Sequence, residues 1–583
     1  MSSNSLYRLG NSTAVEPLVN KWAAWSHVVS PVPYSLHLLH YQLKLMQSYL
    51  DDPSLHADAC RNPKLRSGRF VNVPKERADE VMHLMQTTIA NQGDNLVFAE
   101  SITGFHNFLV REAKGQSLDP YYEKAPAVLR GYIELMYDYY NRPTVRFFES
   151  LLYQSPYYHK NIQSLRLSLH THDDERPFVM STPRLDESDQ IDWRVPFESP
   201  EVDNLFRLDC APKPLDYIRE LLRLSESDDA ALLPLLSADT APQYERWEGS
   251  DVRVRYFGHA CALIEWNGVS ILTDPYIGVT PSRGGVERLS YSDLPPRIDY
   301  VLITHNHHDH FCLESLLRLR HRIGCLVVPR SFGFFYGDIS LKVLATKAGF
   351  RNVVEVDSLD SIELPGMEII AVPFMGEHAD LPHSKTAYVV RAGAEQILFA
   401  ADSDCLDQQM YGHIRRLLGP ITTVFLGMEC VGAPLSWSCG PFFPVKPDPG
   451  HEKSRRYKGC DSARAMRLLE EVGANRIYVY AMGMEPWFEH LLGLAYTEDA
   501  RQIVESNKLI AKAREMGFIE AKRLFGKYDV HLSIQGSKDR VFYESVSEAG
   551  EQPVAAHASQ GSATGAAPAL EAKQDLEDHF TFD

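Results

Sequence analysis

The sequence predicts an α/β protein in two parts. A helix-rich, mixed α/β region spans residues 1–245, and two sheets packed together with helices outside follow over residues 246–547. Three observations carry this reading. Before residue 225 the apolar residues recur mainly at spacings of three and four, as on one face of a helix. Ser225–Gly249 is rich in Ser, Asp, Ala and Pro and marks a boundary. Beyond it come short apolar runs bounded by turn residues, first in succession and then alternating with helical segments.

In chain order, Leu36, Leu39, Leu43, Met46 and Leu50 place an amphipathic helix over Pro33–Leu50, and Val81, Leu84, Met85 and Ile89 repeat the pattern. A third helix is expected from about Ala127 towards Tyr140, ending before Pro143, because proline disfavours helix at the residue before it. Asp216–Leu224 is a fourth. The tyrosine-rich run Tyr132–Tyr158 could be a partner surface, but core and groove lining explain it more simply. Strands are expected at Val252–Phe257, Ala262–Trp266, Val269–Leu272, Tyr300–Ile303, Cys325–Val328, Val353–Val356, Glu368–Val372, Thr386–Arg391 and Gln396–Ala400. Asn267-Gly268 between two of them is a hairpin signal. Helices at Asp407–Leu418 and Ser462–Val472 then alternate with strands at Thr423–Leu426 and Arg476–Tyr480. A helix-rich stretch from about Asp499 to Leu524 precedes closing strands at Val530–Ile534 and Arg540–Ser545. Residues 548–583 are dominated by Ala, Gly, Ser, Gln and Glu, cannot bury enough apolar surface to offset their ordering entropy, and read as a disordered tail. Leu576, Phe580 and Phe582 near its end make a docking peptide the sharper alternative.

Composition narrows the function. With 583 residues, 44% hydrophobic and 23% charged, the chain is ordinary for a globular protein of about two or three domains. A formal net charge of −18 disfavours nucleic acid as partner, since phosphate binding needs a basic surface. No window approaches the roughly 18 apolar residues of a membrane span, and Met1–Leu18 does not read as a signal peptide. Nine cysteines without a C-x-x-C pair read as reduced thiols, hence a cytoplasmic location.

The chemistry centres on Thr304-His305-Asn306-His307-His308-Asp309-His310, after the apolar run Tyr300–Ile303 and before the helical run Leu313–Leu319. Imidazoles at i and i+2 of extended backbone point to one side and can bind one metal; the Asp309-His310 pair turns past them and can serve a second. A lone histidine is more often packing, but this density at a strand's carboxyl end is a metal site. His170-Thr171-His172-Asp173-Asp174 lacks that context and reads as a polar turn.

Together with Gly258-His259-Ala260, Ile271-Leu272-Thr273-Asp274-Pro275 and Phe399-Ala400-Ala401-Asp402-Ser403, the cluster resembles the metallo-β-lactamase fold over roughly residues 250–545. The resemblance implies an αβ/βα sandwich. In it Asp402 bridges two metals, Asp274 orients a histidine ligand, and His259 is structural or supporting rather than a ligand. Two departures matter. Hydrolases of this fold carry a third histidine after the strand equivalent to Glu368–Val372, where this chain has Phe374-Met375-Gly376-Glu377-His378. They also carry a late histidine after the equivalent of Arg476–Tyr480, where this chain has Ala481–Trp487 without one. With Glu377 in place of the third histidine, His305, His307 and Glu377 would bind one metal, and Asp309, His310 and bridging Asp402 the other. A set of carboxylates and imidazoles with an open position suits iron better than zinc.

That pattern resembles the diiron β-hydroxylases of nonribosomal peptide pathways, typified by the enzyme of the chloramphenicol pathway, which also carry a large N-terminal domain. The resemblance implies two iron ions, dioxygen as co-substrate and electrons from an external reductase. The substrate would be an aminoacyl group held as a thioester on a peptidyl carrier protein, hydroxylated at Cβ in antibiotic biosynthesis, with Glu377 and Asp402 as the catalytic carboxylates. Residues 1–245 would serve dimerisation or carrier docking, so a homodimer is among the expectations. Val431–Asp461, rich in Pro and Gly, has the character of a lid or substrate loop. Its Lys453, Arg455, Arg456 and Lys458 are either a solvated run or a contact for a phosphopantetheine phosphate or acidic carrier. The rivals are a dinuclear zinc hydrolase, and a non-enzymatic module whose site has decayed.

Overall fold

Two seven-stranded sheets face each other across a shared apolar layer, and the ends of their strands form the floor of the site. The computed structural model describes residues 5–532 apart from 63–64, 174–175, 241–242, 379–380 and 382. The expected strand Arg540–Ser545 and the tail from 548 lie outside the described residues.

The first sheet runs in the order Val353–Val356, Ile323–Pro329, Ile298–Leu302, Val269–Thr273, Cys261–Trp266, Val252–Gly258, Tyr528–Leu532. The second runs Ser361–Leu364, Met367–Val372, Ala387–Ala392, Glu395–Phe399, Thr423–Gly427, Arg476–Tyr480, Glu520–Arg523. Side chains alternate as a strand requires. Val254, Ile264, Ile271, Leu302 and Val327 point between the sheets and meet Ile369, Val390, Ile397, Phe425 and Tyr478. Leu263, Leu272, Val301 and Leu326 point outward into a second apolar layer. On the far side Val389, Leu398, Val424 and Val479 pack under helices Gln408–Leu418, Ser462–Val472 and Arg501–Glu515. With both faces covered, the central strands read as continuous apolar runs, which is why the sequence shows them so clearly. The hairpin at Asn267-Gly268 has φ of 49° and 80°, the left-handed pair that such a two-residue turn needs.

The outer layer of the first sheet is shared with the N-terminal region. Leu9, Val15, Leu165, Leu167 and Trp193 belong to the same apolar cluster as Leu263 and Val301. These come largely from an antiparallel sheet of Trp22–Ala23, Thr13–Val19, Gln163–Leu169 and Ile191–Arg194. Helix Leu313–Leu319 is the seam: Leu313, Leu316, Leu317 and Leu319 are buried, each worth about 1.5–3 kcal/mol. Its Arg318 pairs with Asp209 at 2.8 Å and donates to the Thr13 carbonyl at 3.0 Å. Arg320 pairs with Asp203 and Arg176 with Glu314. Removing one partner of such a buried pair costs about 3–5 kcal/mol, chiefly because it strands the other charge, so the pairs fix the register of a seam that apolar burial holds together.

Several expectations need correction. The helix expected from Ala127 to Tyr140 is only a short 3-10 turn at Ala127–Leu129, followed by strand Ile133–Tyr137 paired with Pro143–Phe147. Asn141, at φ 55°, turns the hairpin, and Leu135 and Val145 point into a core that a lone helix would not have reached. The helix-rich stretch to Leu524 ends at Glu515, and Glu520–Arg523 is an edge strand drawn in by parallel pairing with Arg476–Val479. Helix Gly93–Glu112, helix Leu341–Lys347 and strand Ser361–Leu364 were not anticipated. The first expected helix is continuous over 31–51 but contains a π segment, Leu38–Gln42. Leu36, Met46 and Tyr49 lie buried along it, whereas Tyr139 and Tyr140 of the tyrosine-rich run are exposed and Tyr153 and Tyr157 buried. None of the nine cysteines forms a disulfide. No helix among the described residues is long and apolar enough to cross a membrane.

Candidate metal centre

Strand Ile298–Leu302 ends beside Val269–Thr273, and the chain beyond it is fixed by Asp274. Asp274 accepts from the Thr304 backbone N–H at 2.7 Å and from the Thr304 hydroxyl at 2.6 Å. It also takes His310 Nδ1 at 2.9 Å. Because the Thr304 hydroxyl hydrogen goes to Asp274, His305 Nδ1, 3.0 Å from that oxygen, is the donor there. Both imidazoles thus carry a proton on Nδ1 and turn Nε2 into the site. Hydrogen bonds from outer carboxylates and hydroxyls commonly orient metal-binding histidines in this way.

Three donor groups converge: His305, His307 and Glu377; His305, His310 and Asp402; and His259, Asp309 and His310. Glu377 Oε1 lies 3.2 Å from His307 Nδ1, and Oε2 lies 3.7 Å from His305 Nε2. Asp402 Oδ2 lies 3.1 Å from His310 Nε2 and 3.9 Å from His305 Nε2. Asp309 Oδ2 lies 3.5 Å from His310 Nε2. His259 belongs to the third group only through Asp309. Its Nδ1 accepts from the Gly483 N–H, so its Nε2 is the protonated nitrogen and donates to Asp309 at 3.0 Å.

Local backbone explains the placement. Glu377 sits at φ 70° directly after Gly376 at φ 83°, a double left-handed turn that swings the carboxylate over the histidines. Asp402 follows strand Glu395–Phe399, held by bonds from Ala401 to the Tyr480 hydroxyl and to the Gly427 N–H. Residue 427 must be glycine: a Cβ there would lie 2.9 Å from Asp402 Oδ1 and 2.8 Å from the Ala401 carbonyl. Asp404 is turned away and pairs with Arg464 at 2.6 Å. His378 lies beside the first group but stacks on His383, centroids 4.4 Å apart, and enters none of the three donor sets. His308 gives its Nε2 to the Leu491 carbonyl at 2.9 Å.

The electrostatics are those of a cation site. Burial, with His310 and His307 nearby, holds the His305 pKa well below the usual range, leaving its lone pair free. Burial opposes the imidazolium of His310, but Asp402, Asp309 and Asp274 outweigh it and raise its pKa well above the usual range. Burial raises Glu377, against the pull of His307 and with the push of Asp402 and Asp309. His305 Nε2, Glu377 Oε2 and Asp402 Oδ1 are buried without a hydrogen-bond partner. Orphaned polar atoms of this kind are rare unless an ion or water serves them. The donor set therefore fits two metal ions.

Above this floor lies a cavity of about 270 Å³. Trp25 and His27 of the N-terminal region, Trp437, Cys439 and Tyr457 of the 431–461 segment, and Leu492 and Leu494 line it. The 431–461 segment is a folded wall, with strand pair Ala433–Pro434 and Arg456–Tyr457 and short helices Ser436–Cys439 and Pro449–Ser454. Trp437 Nε1 donates to the Ser67 carbonyl and Arg69 to the Ser436 carbonyl, so the N-terminal region braces it. Of the basic cluster, Arg456 reaches the cavity, but its guanidinium binds the Val431 and Gly432 carbonyls. The loop after Arg476–Tyr480 presents Ala481 and Met482, with Glu485 withdrawn to the Tyr256 hydroxyl at 2.6 Å. The polar run His170–Asp173 lies elsewhere, Asp173 binding Arg288. Sequence reasoning did not find Trp25, His27 or Glu429 as cavity residues; no periodicity or motif marks them, because the tertiary fold brings them in.

The family model for the diiron non-heme beta-hydroxylase N-terminal domain matches residues 8–240, and a beta-lactamase superfamily domain matches residues 253–413. The 4-amino-L-phenylalanyl-[CmlP-peptidyl-carrier-protein] 3-hydroxylase of Streptomyces venezuelae is 34% identical over 519 residues, 88% of this chain and 97% of that protein. The crystal structure of CmlA, a diiron beta-hydroxylase from Streptomyces venezuelae, superposes with a TM-score of 0.84 at 34% identity, covering 91% of this chain and 100% of that one. A metal-dependent hydrolase of Methanopyrus kandleri is 32% identical over only 122 residues, 21% of this chain and 46% of its own length.

Proposed function

The chain belongs to the diiron non-haem β-hydroxylases, and from that premise we propose that it hydroxylates Cβ of an aminoacyl group carried as a thioester on a peptidyl carrier protein, in nonribosomal peptide or antibiotic biosynthesis. The observation that carries the reading beyond kinship is Glu377: a carboxylate, not an imidazole, faces His305 and His307. His305, His307 and Glu377 would hold one iron, Asp309 and His310 the other, and Asp402 would be shared. Two irons held there, with electrons from an external donor, would supply dioxygen activation for the overall change R–H + O2 + 2e⁻ + 2H⁺ → R–OH + H2O.

The protein's own part is orientation and exclusion. Asp274 and Thr304 fix the two Nε2 atoms, and His259 holds Asp309. Trp25, Trp437, Tyr457, Leu492 and Leu494 give the cavity apolar walls that keep water from the reacting carbon. With Ala481 and Met482 where hydrolases of the fold use a histidine, no further imidazole comes from that loop to support thioester hydrolysis. A dedicated reductase, a homodimer formed through residues 1–245, and a cytoplasmic location, which suits nine cysteines without a disulfide, belong to the same proposal.

Two measurements on one preparation test it. Protein purified without added metal should contain stoichiometric iron. In single turnovers with reduced enzyme and dioxygen, mass spectrometry should find one oxygen added to carrier-bound substrate and none to the free amino acid. Zinc with release of unmodified amino acid would return the chain to the hydrolases.

A further inference from the structure

We propose that Glu429 is an ammonium subsite, which takes an amino group of the aminoacyl substrate and so sets where Cβ lies along the cavity. The inference rests on the β-hydroxylase reading and adds the residue that recognises the amine. Four carboxylates line the cavity: Asp309, Glu377, Asp402 and Glu429. The first three face imidazoles in the metal-binding groups. Glu429 does not. It stands two residues beyond strand Thr423–Gly427, whose last residue touches Asp402, so its carboxylate and the metal floor share one wall.

Its partners are all neutral. Oε1 accepts from the backbone N–H of Val431 at 3.1 Å and of Gly432 at 2.7 Å, and from the Gln502 amide at 2.9 Å. Oε2 accepts from the Tyr496 hydroxyl at 2.6 Å and from Gln502 at 3.0 Å. Burial and the Glu429 charge push the Tyr496 phenol well above its usual range, so it stays a donor. No lysine, arginine or histidine among the described residues makes an ion pair with Glu429. Arg456 is the one arginine or lysine among the described cavity residues, and it is spent on the Val431 and Gly432 carbonyls. The same two peptides are thus gripped from both sides, and the carboxylate is immobile. A fixed, part-buried carboxylate held by neutral donors alone presents a negative charge that no protein cation neutralises, and an ammonium is the ligand that complements it.

The substrate supplies that cation. In an aminoacyl thioester the carboxylate has been consumed, so an ammonium is the charge that remains on the acyl group. One residue thereby selects for an acyl group that carries an amine. The bland role for Glu429 is to cap its own turn, and the test separates the two.

Iron-loaded enzyme is titrated with carrier protein bearing non-hydrolysable amide-linked acyl groups: 4-aminophenylalanyl, phenylalanyl, 3-(4-aminophenyl)propanoyl and 3-phenylpropanoyl. Loss of the amine that Glu429 binds should weaken wild-type affinity roughly 10- to 100-fold, the value of a hydrogen bond to a charged group. The propanoyl pair, which lacks the α-ammonium, should fall; the ring amine of 4-aminophenylalanyl is an aniline and neutral at pH 7, so a drop confined to the acyl groups without that ring amine overturns the proposal. In Glu429→Gln the difference should vanish, and in Glu429→Asp, which keeps the charge, it should persist. Equal wild-type affinity for all four acyl groups, or a uniform drop for all four in Glu429→Gln, overturns the proposal. Oxygen incorporation into the thioester-linked substrates is scored separately: amine discrimination without it would sink the hydroxylase reading and leave the subsite standing.

Discussion

The floor and the roof of the cavity are built by opposite means. On the floor, His305, His310 and the Asp402 turn are placed by polar chains that start in a sheet: Asp274 holds Thr304 and His310, Thr304 holds His305, and Tyr480 and Gly427 hold the Asp402 turn. The roof relies on apolar packing and loop contacts. Trp25 lies edge-on to His308 at 5.8 Å, Trp437 rests against Ser67, and Glu377 reaches in from a left-handed turn with one oxygen unpartnered. The contrast separates two tasks. Metal affinity needs rigid donors, because each ångström of error is lost coordination energy, whereas admission of an arm-borne substrate needs walls that can part.

The largest effect that would break this comparison lies on the floor. Asp402→Ala should lose both irons or their magnetic coupling and all turnover, as metal analysis and Mössbauer spectra would report; a coupled pair surviving in the variant would show that Asp402 is not shared. A smaller and more local effect is expected at the roof's one candidate ligand. Glu377→Ala should abolish turnover and lower iron content, while His378→Ala keeps the metal, because His378 is stacked on His383 and enters no donor set. The reverse pattern would put an imidazole back in the third position and favour zinc.

The same division decides what the sequence could show. Part of the floor was legible: strands buried on both faces give unbroken apolar runs, so the cluster His305, His307, Asp309 and His310 could be named from local pattern, whereas Asp402 and the role of Asp274 were named through the resemblance to the fold. The roof was not. Trp25 and His27 come from a region whose cavity role depends on packing across the Leu313–Leu319 seam, and neither lies in a motif. The 431–461 segment looked like a flexible wall because of its Pro and Gly, yet Tyr457 and its pairing with Ala433–Pro434 give it a fixed fold. The error at 127–140 has a similar origin: the spacing fitted a helix, and only the partner strand Pro143–Phe147 decides for a hairpin.

The smallest effect sharpens the comparison through acid. His37 lies behind Trp25, its ring 4.7 Å from Tyr41 and 5.9 Å from Trp25, and it is buried. Burial first, and His27 and Arg69 after it, lower its pKa to about 3. The folded protein thus holds this imidazole neutral, while the unfolded chain protonates it near pH 6.5. Between those values the unfolded state binds more protons, so the stability due to neutral His37 is complete above pH 6.5 and is lost as pH falls towards 3. At pH 5 the loss is about 2 kcal/mol for this one group. Proton competition for metal donors also weakens the protein in acid, so wild type alone cannot separate the floor from the roof. His37→Phe can, because it removes this one group's contribution behind the roof and leaves the metal-facing side chains in place. Melting curves at pH 7.5 and pH 5 should show wild type losing about 2 kcal/mol more than the variant over that interval. Identical pH slopes would mean that His37 is solvated in the native state and that the roof opens there far more than its packing implies.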